Sequence, residues 1–215
     1  MNLKLIVISA CTLGCALLAQ AIPTGLNIMP TADVMPFGMS RYQYEFNSEK
    51  ANVPDRGAIV GTQTGIGLGT AEGGIDEVSH IGTVYNLKML LLQGDEMMPA
   101  IAVGVENIGR DAKPQYYLVA SKLLINSAET DTRSAVHAGF LLDTDGKTRA
   151  MYGADLATGP LLFKLDQVGL APGNVHTAFG VGLKYGELSA TVTSYDIYKN
   201  PGILSYTIGY TYVSQ

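Results

Sequence analysis

Thiols are almost missing from this sequence. Its two cysteines, Cys11 and Cys15, both fall within the first fifteen residues, and none of its 215 residues is tryptophan. If the N-terminus is a cleaved export signal, the mature chain holds no cysteine at all. That excludes disulfide staples, thiolate metal sites and a cysteine nucleophile. Charge is also scarce, at 15% of residues, and its balance is mildly acidic. No basic stripe is present to neutralise phosphates, so nucleic acid is not an expected partner. Histidine is limited to His80, His137 and His176, far apart and without metal-ligand spacing, so neither a metal nor another cofactor is expected. Helical periodicity is absent beyond Pro36. The one long apolar run, residues 5–18, is short for a bilayer-spanning helix.

That run is instead laid out as a secretory signal. One positive charge at Lys4 precedes it, and Ala19-Gln20-Ala21 ends it with the small-x-small pattern of a cleavage site. Cleavage is expected after Ala21. A lipoprotein at Cys15 is the alternative, but Thr12 stands where a lipobox carries leucine. Losing residues 1–21 removes Lys4 and no acid, so the formal charge moves from −5 to −6. The chain divides into a signal at 1–21, a Pro/Gly-rich periplasmic lead-in or plug at 22–38, and a barrel at 39–215.

From residue 39 onward, segments of about ten residues alternate in polarity between turn signals. In PAIAVGVENI (99–108), Ile101, Val103 and Val105 share one face. In VHTAFGVGLKY (175–185) Thr177, Phe179, Val181, Leu183 and Tyr185 do so, and in 203–213 Leu204, Tyr206, Ile208, Tyr210 and Tyr212. Weaker versions lie at 39–47, 57–67, 71–78, 81–92, 115–125, 134–142, 148–157, 161–167 and 187–195. The segment at 71–78 carries Glu77 on its apolar face. The total is about twelve strands, an even number that lets both ends of the barrel sequence meet one rim. Asp145-Gly146, Gly159-Pro160 and Tyr185-Gly186-Glu187 read as tight connections. Longer ones at 48–56, 109–114, 168–174 and 196–202 alternate with them, and those at 126–133 and 143–147 break the pattern.

The faces opposite the apolar ones decide between a soluble sandwich and a membrane barrel. A sandwich shows water a charged and hydroxylated face. Here that face is rich in glycine, such as Gly61, Gly104, Gly139, Gly180 and Gly209, with single charges between. The alternation places Arg41, Lys88, Lys122, Arg149, Lys164 and Lys184 inside, against Glu45, Glu72, Asp76, Glu106, Asp155 and Asp166. Lys88, Lys122, Glu72 and Glu106 are expected to form a lumenal network. Outside stand Tyr42, Tyr44, Phe46, Tyr117, Tyr152, Phe163, Phe179, Tyr206, Tyr210 and Tyr212, material for an interfacial aromatic belt. The fold expected is therefore all-β, an antiparallel up-and-down transmembrane barrel in the outer membrane. Its lipid is one partner. The barrel assembly machinery is another, because Gly209, Tyr210 and Tyr212 match a C-terminal strand signal, although Ser214-Gln215 replace the usual terminal aromatic.

The segment TGLNIMPTADVMPFG (24–38) resembles the opening of the YjbH-like family of outer-membrane β-barrel proteins, associated with exopolysaccharide production. The matching residues are Thr24, Gly25, Leu26, Asn27, Pro30, Thr31, Ala32, Val34, Pro36 and Gly38. Asn86-Leu87-Lys88, PAIAVGVENIG (99–109) and QYYLVASKLL (115–124) are similar to the family's pattern too. The resemblance covers about two thirds of the mature chain and implies an outer-membrane barrel with a surface polysaccharide as partner. It brings no catalytic residues. Within this opening, Asp33 can bond nearby amides and the prolines limit its freedom. A plug and an ordered lead-in to the first strand both fit that composition.

Three functions follow from these readings: a structural, porin-like or export-accessory barrel, a lipid-modifying barrel enzyme, or a soluble exported β-rich binding module. The enzyme would need a Ser–His pair on the lipid side. Ser134 and His137 lie three residues apart on one strand and so face opposite ways, and no catalytic residue is assigned.

Overall fold

The computed structural model describes residues 26, 28–47, 59–66, 70–78, 82–109, 113–142, 146–169, 175–194, 197 and 204–213. The expected signal, Thr24, Gly25, Asn27 and His80 lie outside them. The chain forms twelve strands: β1 Met39–Asn47, β2 Ile59–Ile66, β3 Ala71–Val78, β4 Gly82–Leu92, β5 Ala100–Ile108, β6 Gln115–Ser127, β7 Thr132–Leu142, β8 Thr148–Thr158, β9 Leu161–Val168, β10 His176–Tyr185, β11 Leu188–Ser194 and β12 Leu204–Val213. Each pairs antiparallel with the next, and β12 returns to β1 through nine paired positions, from Met39 opposite Val213 to Asn47 opposite Ser205. Closure leaves no free sheet edge.

An even number of strands gives the barrel two unlike rims. One, the turn rim, holds the start of β1, the end of β12 and the connections 67–70, 93–99, 128–131, 159–160 and 186–187. The other, the loop rim, holds 48–58, 79–81, 109–114, 143–147, 169–175 and 195–203. The two apparent breaks in the alternation disappear. β6 runs on to Ser127, which shortens the first to a turn at 128–131, and 143–147 falls on the loop rim. The real departures are 79–81, short on the loop rim, and 93–99, long on the turn rim. Gly159 and Gly186 have φ of 52° and 60°, the left-handed conformation that two-residue hairpins require.

Period-two alternation sorts side chains as expected on most strands. Tyr42, Tyr44 and Phe46 point outward opposite Tyr210, Ile208 and Tyr206 on β12. Phe46 stacks on Tyr44 at 5.6 Å and on Tyr206 at 5.2 Å. Leu87, Met89, Leu118, Phe140, Leu165 and Leu183 extend this apolar coat around the ring. A continuous apolar exterior is unsuited to water and suited to hydrocarbon, so the barrel is a membrane-spanning one.

One strand is out of phase with expectation. In β6, Tyr117, Val119 and Ser121 face the lumen, whereas Tyr116 and Leu118 face outward with Lys122. Tyr117 therefore leaves the aromatic belt and Lys122 leaves the lumenal set. The cause is local: the run from Tyr116 to Ala120 is apolar on both faces, so alternation gives no phase. Space gives it instead, because Gly104 opposite Tyr117 makes room for the phenol ring and a Cβ there would lie 2.3 Å from its hydroxyl.

Candidate functional site: a strap across the lumen

The interior is not empty. Leu26, Met29, Thr31, Ala32 and Met35 are buried inside the ring, with Met29 and Ala32 packed among Ala102, Val119, Met151 and Val168. The strap begins at the turn rim, where Phe37 makes a parallel bridge to Gly65 on β2. Deeper in, the Met35 amide donates to Glu72 Oε2 on β3 at 2.8 Å. At its far end, the Ile28 and Met29 amides both donate to Asp166 Oδ2 on β9, at 2.6 and 2.9 Å. In a ring of twelve, β3 and β9 stand six places apart and so face each other across the full diameter.

Wall side chains meet the strap's backbone groups along the way. Lys88 Nζ donates to the Thr31 carbonyl at 3.0 Å and pairs with Glu72 Oε1 at 2.8 Å, both side chains fully buried. Lys164 Nζ donates to the Leu26 carbonyl at 3.3 Å. A buried backbone that lacks a ladder must find such partners, and charged partners give the stronger bonds. Two glycines make the approach possible. A Cβ on Gly65 would sit 2.1 Å from the Pro36 oxygen, and one on Gly153 would sit 2.2 Å from Leu26 Cδ1.

Ala32 and Asp33 are held by a closed circuit of wall groups. The Ala32 amide donates to Ser121 Oγ at 2.7 Å, and that hydroxyl is 2.7 Å from His137 Nδ1. His137 Nε2 is 3.0 Å from Asp155 Oδ2, and Arg133 joins Asp155 Oδ1 at 3.3 Å to both oxygens of Asp33 at 3.1 and 3.3 Å. Thr31 Oγ1 also donates to Asp33. Ser121, His137 and Asp155 have the connectivity of a hydrolytic relay. Here, however, the hydroxyl carries a strap amide and faces the lumen. Ser134, the serine considered for lipid chemistry, points out beside Val136 while His137 points in.

A cavity of about 510 Å³ opens beside this circuit, lined by Asp33, Ser121, Asn126, Arg133, Gln93 and Glu96 among others. Its lip is the 93–99 connection. There the Met98 and Met97 amides donate to Asp95 Oδ1 at 2.7 Å each and hold its carboxyl below the usual carboxylate range. Lys122, on the outer face, donates to the Asp95 and Glu96 carbonyls and braces this lip rather than joining the lumenal network.

The other expected residues take these places. Arg41 faces inward beside Gly209. Glu45 accepts from Ser205 Oγ at 2.7 Å, and Asp76 accepts from Asn86. Glu106 lies within electrostatic reach of Lys88. Arg149 faces in near the loop rim, and Lys184 shares the inner face but is exposed at the turn rim. Gly209 is inward, with Tyr210 and Tyr212 outward on the closing strand. Of the opening motif, Pro30 and Thr31 are buried and Asp33 is half-buried. Arg133 and Ser121, central to the circuit, are not among the residues expected from sequence; the alternation of β7 is the signal for Arg133, whereas Ser121 follows only once the phase of β6 is set by Gly104.

No family model matches the chain, and no curated protein does. Among solved structures it is similar to the KdgM porin, with a TM-score of 0.56 and 11% identity over 82% of this chain and 99% of that one. It is also similar to the NanC porin, at 0.46 and 10% over 82% and 100%. A third is OprB of Pseudomonas putida at low pH, at 0.38 and 7% over 81% and 62%. At such identities the first likeness shows a shared fold, and the other two carry no argument.

Proposed function

We propose that the chain is a porin-like outer-membrane barrel whose conduit is held shut by its own N-terminal strap. The observation that carries this reading is the strap's course from β3 to β9, with its amides bonded to buried wall carboxylates at both ends. Eight-stranded barrels fill with their own side chains, whereas sixteen or more strands leave a water channel. Twelve strands leave an intermediate bore, and here an extended segment of the same chain occupies it. Short turns on one rim and longer loops on the other favour the turn rim as the periplasmic side.

Export through a signal cleaved after Ala21 and assembly through the β12 signal belong to the same proposal. An accessory role in exopolysaccharide passage rests on the opening motif's resemblance alone. Among the described residues no Ser–His pair stands on the lipid side to favour the lipid-hydrolase reading, and the apolar exterior of the described strands disfavours the soluble-module reading.

Planar-bilayer recording tests the conduit. The folded wild-type barrel should conduct little, and a variant lacking residues 26–36 should show large steady steps. A deletion variant that keeps the heat-modifiable gel mobility of a folded barrel but conducts no more than wild type would defeat the reading.

A further inference from the structure

Closure removes the edges of the sheet only where neighbouring strands overlap, and at the turn rim they end at different heights. β5 begins at Ala100, opposite Ser121, and Pro99 before it has no N–H with which to extend the ladder. β6 runs on for six residues, Lys122 to Ser127, and among the described strands only β7 pairs with that stretch. Its backbone groups directed away from β7 face the line that β5 has left. Six residues make an edge of about 20 Å. Leu123, Leu124, Ile125 and Asn126 are all exposed, so neither face of this overhang is covered. The outward Lys122 marks where the hydrocarbon ends, because a lipid-facing charge costs most at the midplane. Leu124 and Ile125 lie past it toward the rim, 60% and 49% exposed, where lipid does not account for them.

The 93–99 lip stands off from this edge instead of covering it. Gly94 backs onto the start of β5, where a Cβ would lie 2.6 Å from the Ala100 nitrogen. Lys122 spans the distance to the lip's carbonyls. Between lip and overhang opens the cavity of about 510 Å³, with Glu96 and Met98 on one side and Leu123, Leu124 and Asn126 on the other. That is the size of a ligand cleft, and it continues the line of β5 past Ala100. Glu96 on the lip and Glu129 and Asp131 on the neighbouring turn are exposed acids. The basic groups of this corner are engaged, Lys122 with the lip and Arg133 with Asp33 and Asp155.

We propose that the β6 overhang is a docking edge for an extended basic peptide, a segment of another protein that adds as a short strand in the continuation of β5. Its main chain completes the ladder that Pro99 interrupts, which is how a strand added to a sheet edge gains affinity. Its alternate side chains meet apolar Leu124 and Ile125 on one face and the acids of the lip and turn on the other. The edge is set by the heights of β5 and β6, and it stands whether or not the strap is a closure.

The probe is a fluorescein-labelled peptide of four Lys-Val repeats, titrated by anisotropy against the full mature barrel in zwitterionic micelles. Saturable one-to-one binding is expected. Leu124→Lys places a charge on the edge and should weaken it about tenfold, whereas Leu188→Lys, on the β10–β11 hairpin of the same rim, should leave it unchanged. A peptide of Glu-Val repeats should not bind. N-methylation separates a ladder from adsorption. The N–H groups of alternate residues point to opposite sides of a strand, so methylating all the lysines or all the valines blocks one edge only. One isomer should lose binding and the other keep it within a few-fold. No saturable binding by wild type, binding unchanged in Leu124→Lys, or two isomers that behave alike overturns the proposal. A wild-type barrel that sediments as a dimer, and as a monomer in Leu124→Lys, gives the edge to a second copy and overturns it too.

Discussion

Replacing Gly65 by alanine isolates the strap from the wall that holds it. Gly65 sits in extended β2, so alanine itself fits the strand and lowers the entropy lost on folding. Its Cβ would land 2.1 Å from the Pro36 oxygen and 2.4 Å from that of Met35, both backbone atoms. Carbon and oxygen in contact stand about 3.3 Å apart, so the strap must retreat by roughly 1 Å. That retreat stretches the 2.8 Å bond from the Met35 amide to Glu72, to a length at which it no longer counts as a hydrogen bond. A bond to a charged group is worth about 1.5–3 kcal/mol, and here both partners are buried, so little is screened away. A loss of about 2 kcal/mol raises the strap-displaced population about thirtyfold. Single-channel recording should show a matching rise in open time. A cysteine at Met35 should react with a thiol reagent faster in the Gly65→Ala background by a similar factor. If both rates stay at their wild-type values while the barrel remains folded, the strap is not a closure and the reasoning fails.

Lys88→Met takes from Glu72 the ammonium bonded at 2.8 Å and removes one donor from the Thr31 carbonyl, at a cost of about 3 kcal/mol, the low end for a broken buried pair, because Arg41 stays within electrostatic reach of Glu72. The gel-shift unfolding temperature should fall clearly, and adding Glu72→Gln should recover part of the drop. A single variant as heat-stable as wild type would mean the pair is not held dry. Arg133→Gln should cost on the order of 1 kcal/mol, because Arg133 and Asp33 are half-exposed although its second partner, Asp155, is mostly buried, and its effect on strap accessibility should shrink in high salt. The Asp95 turn should depend on pH. Its carboxyl is held below the usual range by the Met98 and Met97 amides, so the turn is fully supported above the ordinary carboxylate value. That support is lost as pH falls through the lowered one. Amide exchange at Met97 and Met98 should accelerate only in that acid window, and exchange flat with pH would contradict the bonds.

The ring was legible where one face of a strand was apolar and the other was not. β5, β10 and β12 show that contrast, and their inward and outward residues were assigned correctly from alternation. β6 does not. Tyr116, Tyr117, Leu118 and Val119 are apolar in succession, and the inward choice depended on Gly104, a neighbour that only the fold supplies. Lys122 was misplaced by the same slip. The strap was harder still. Its composition showed that residues 24–38 are neither helix nor strand, and a plug and a lead-in both fitted. Their burial depends on Asp166, more than 130 residues away, and no local pattern carries that contact. The inner charges were read as pairing with one another. Lys88 and Glu72 do pair, but they, Asp166 and Lys164 also bond backbone groups of the strap, which a count of opposite charges cannot reveal.

The strap's anchors also constrain the order of assembly. Ile28 bonds to a residue 138 positions further along the chain, so the segment made first cannot settle until β9 has been made and has joined the sheet. Contacts so distant in sequence form late, because a long loop must close before they repay it. Yet the same segment runs directly into β1, one of the two strands that zip the ring shut against β12. Filling the bore and sealing the seam are thus acts of one continuous stretch of chain, and a barrel that zips before its strap is threaded would be complete in every ladder and still wrongly assembled.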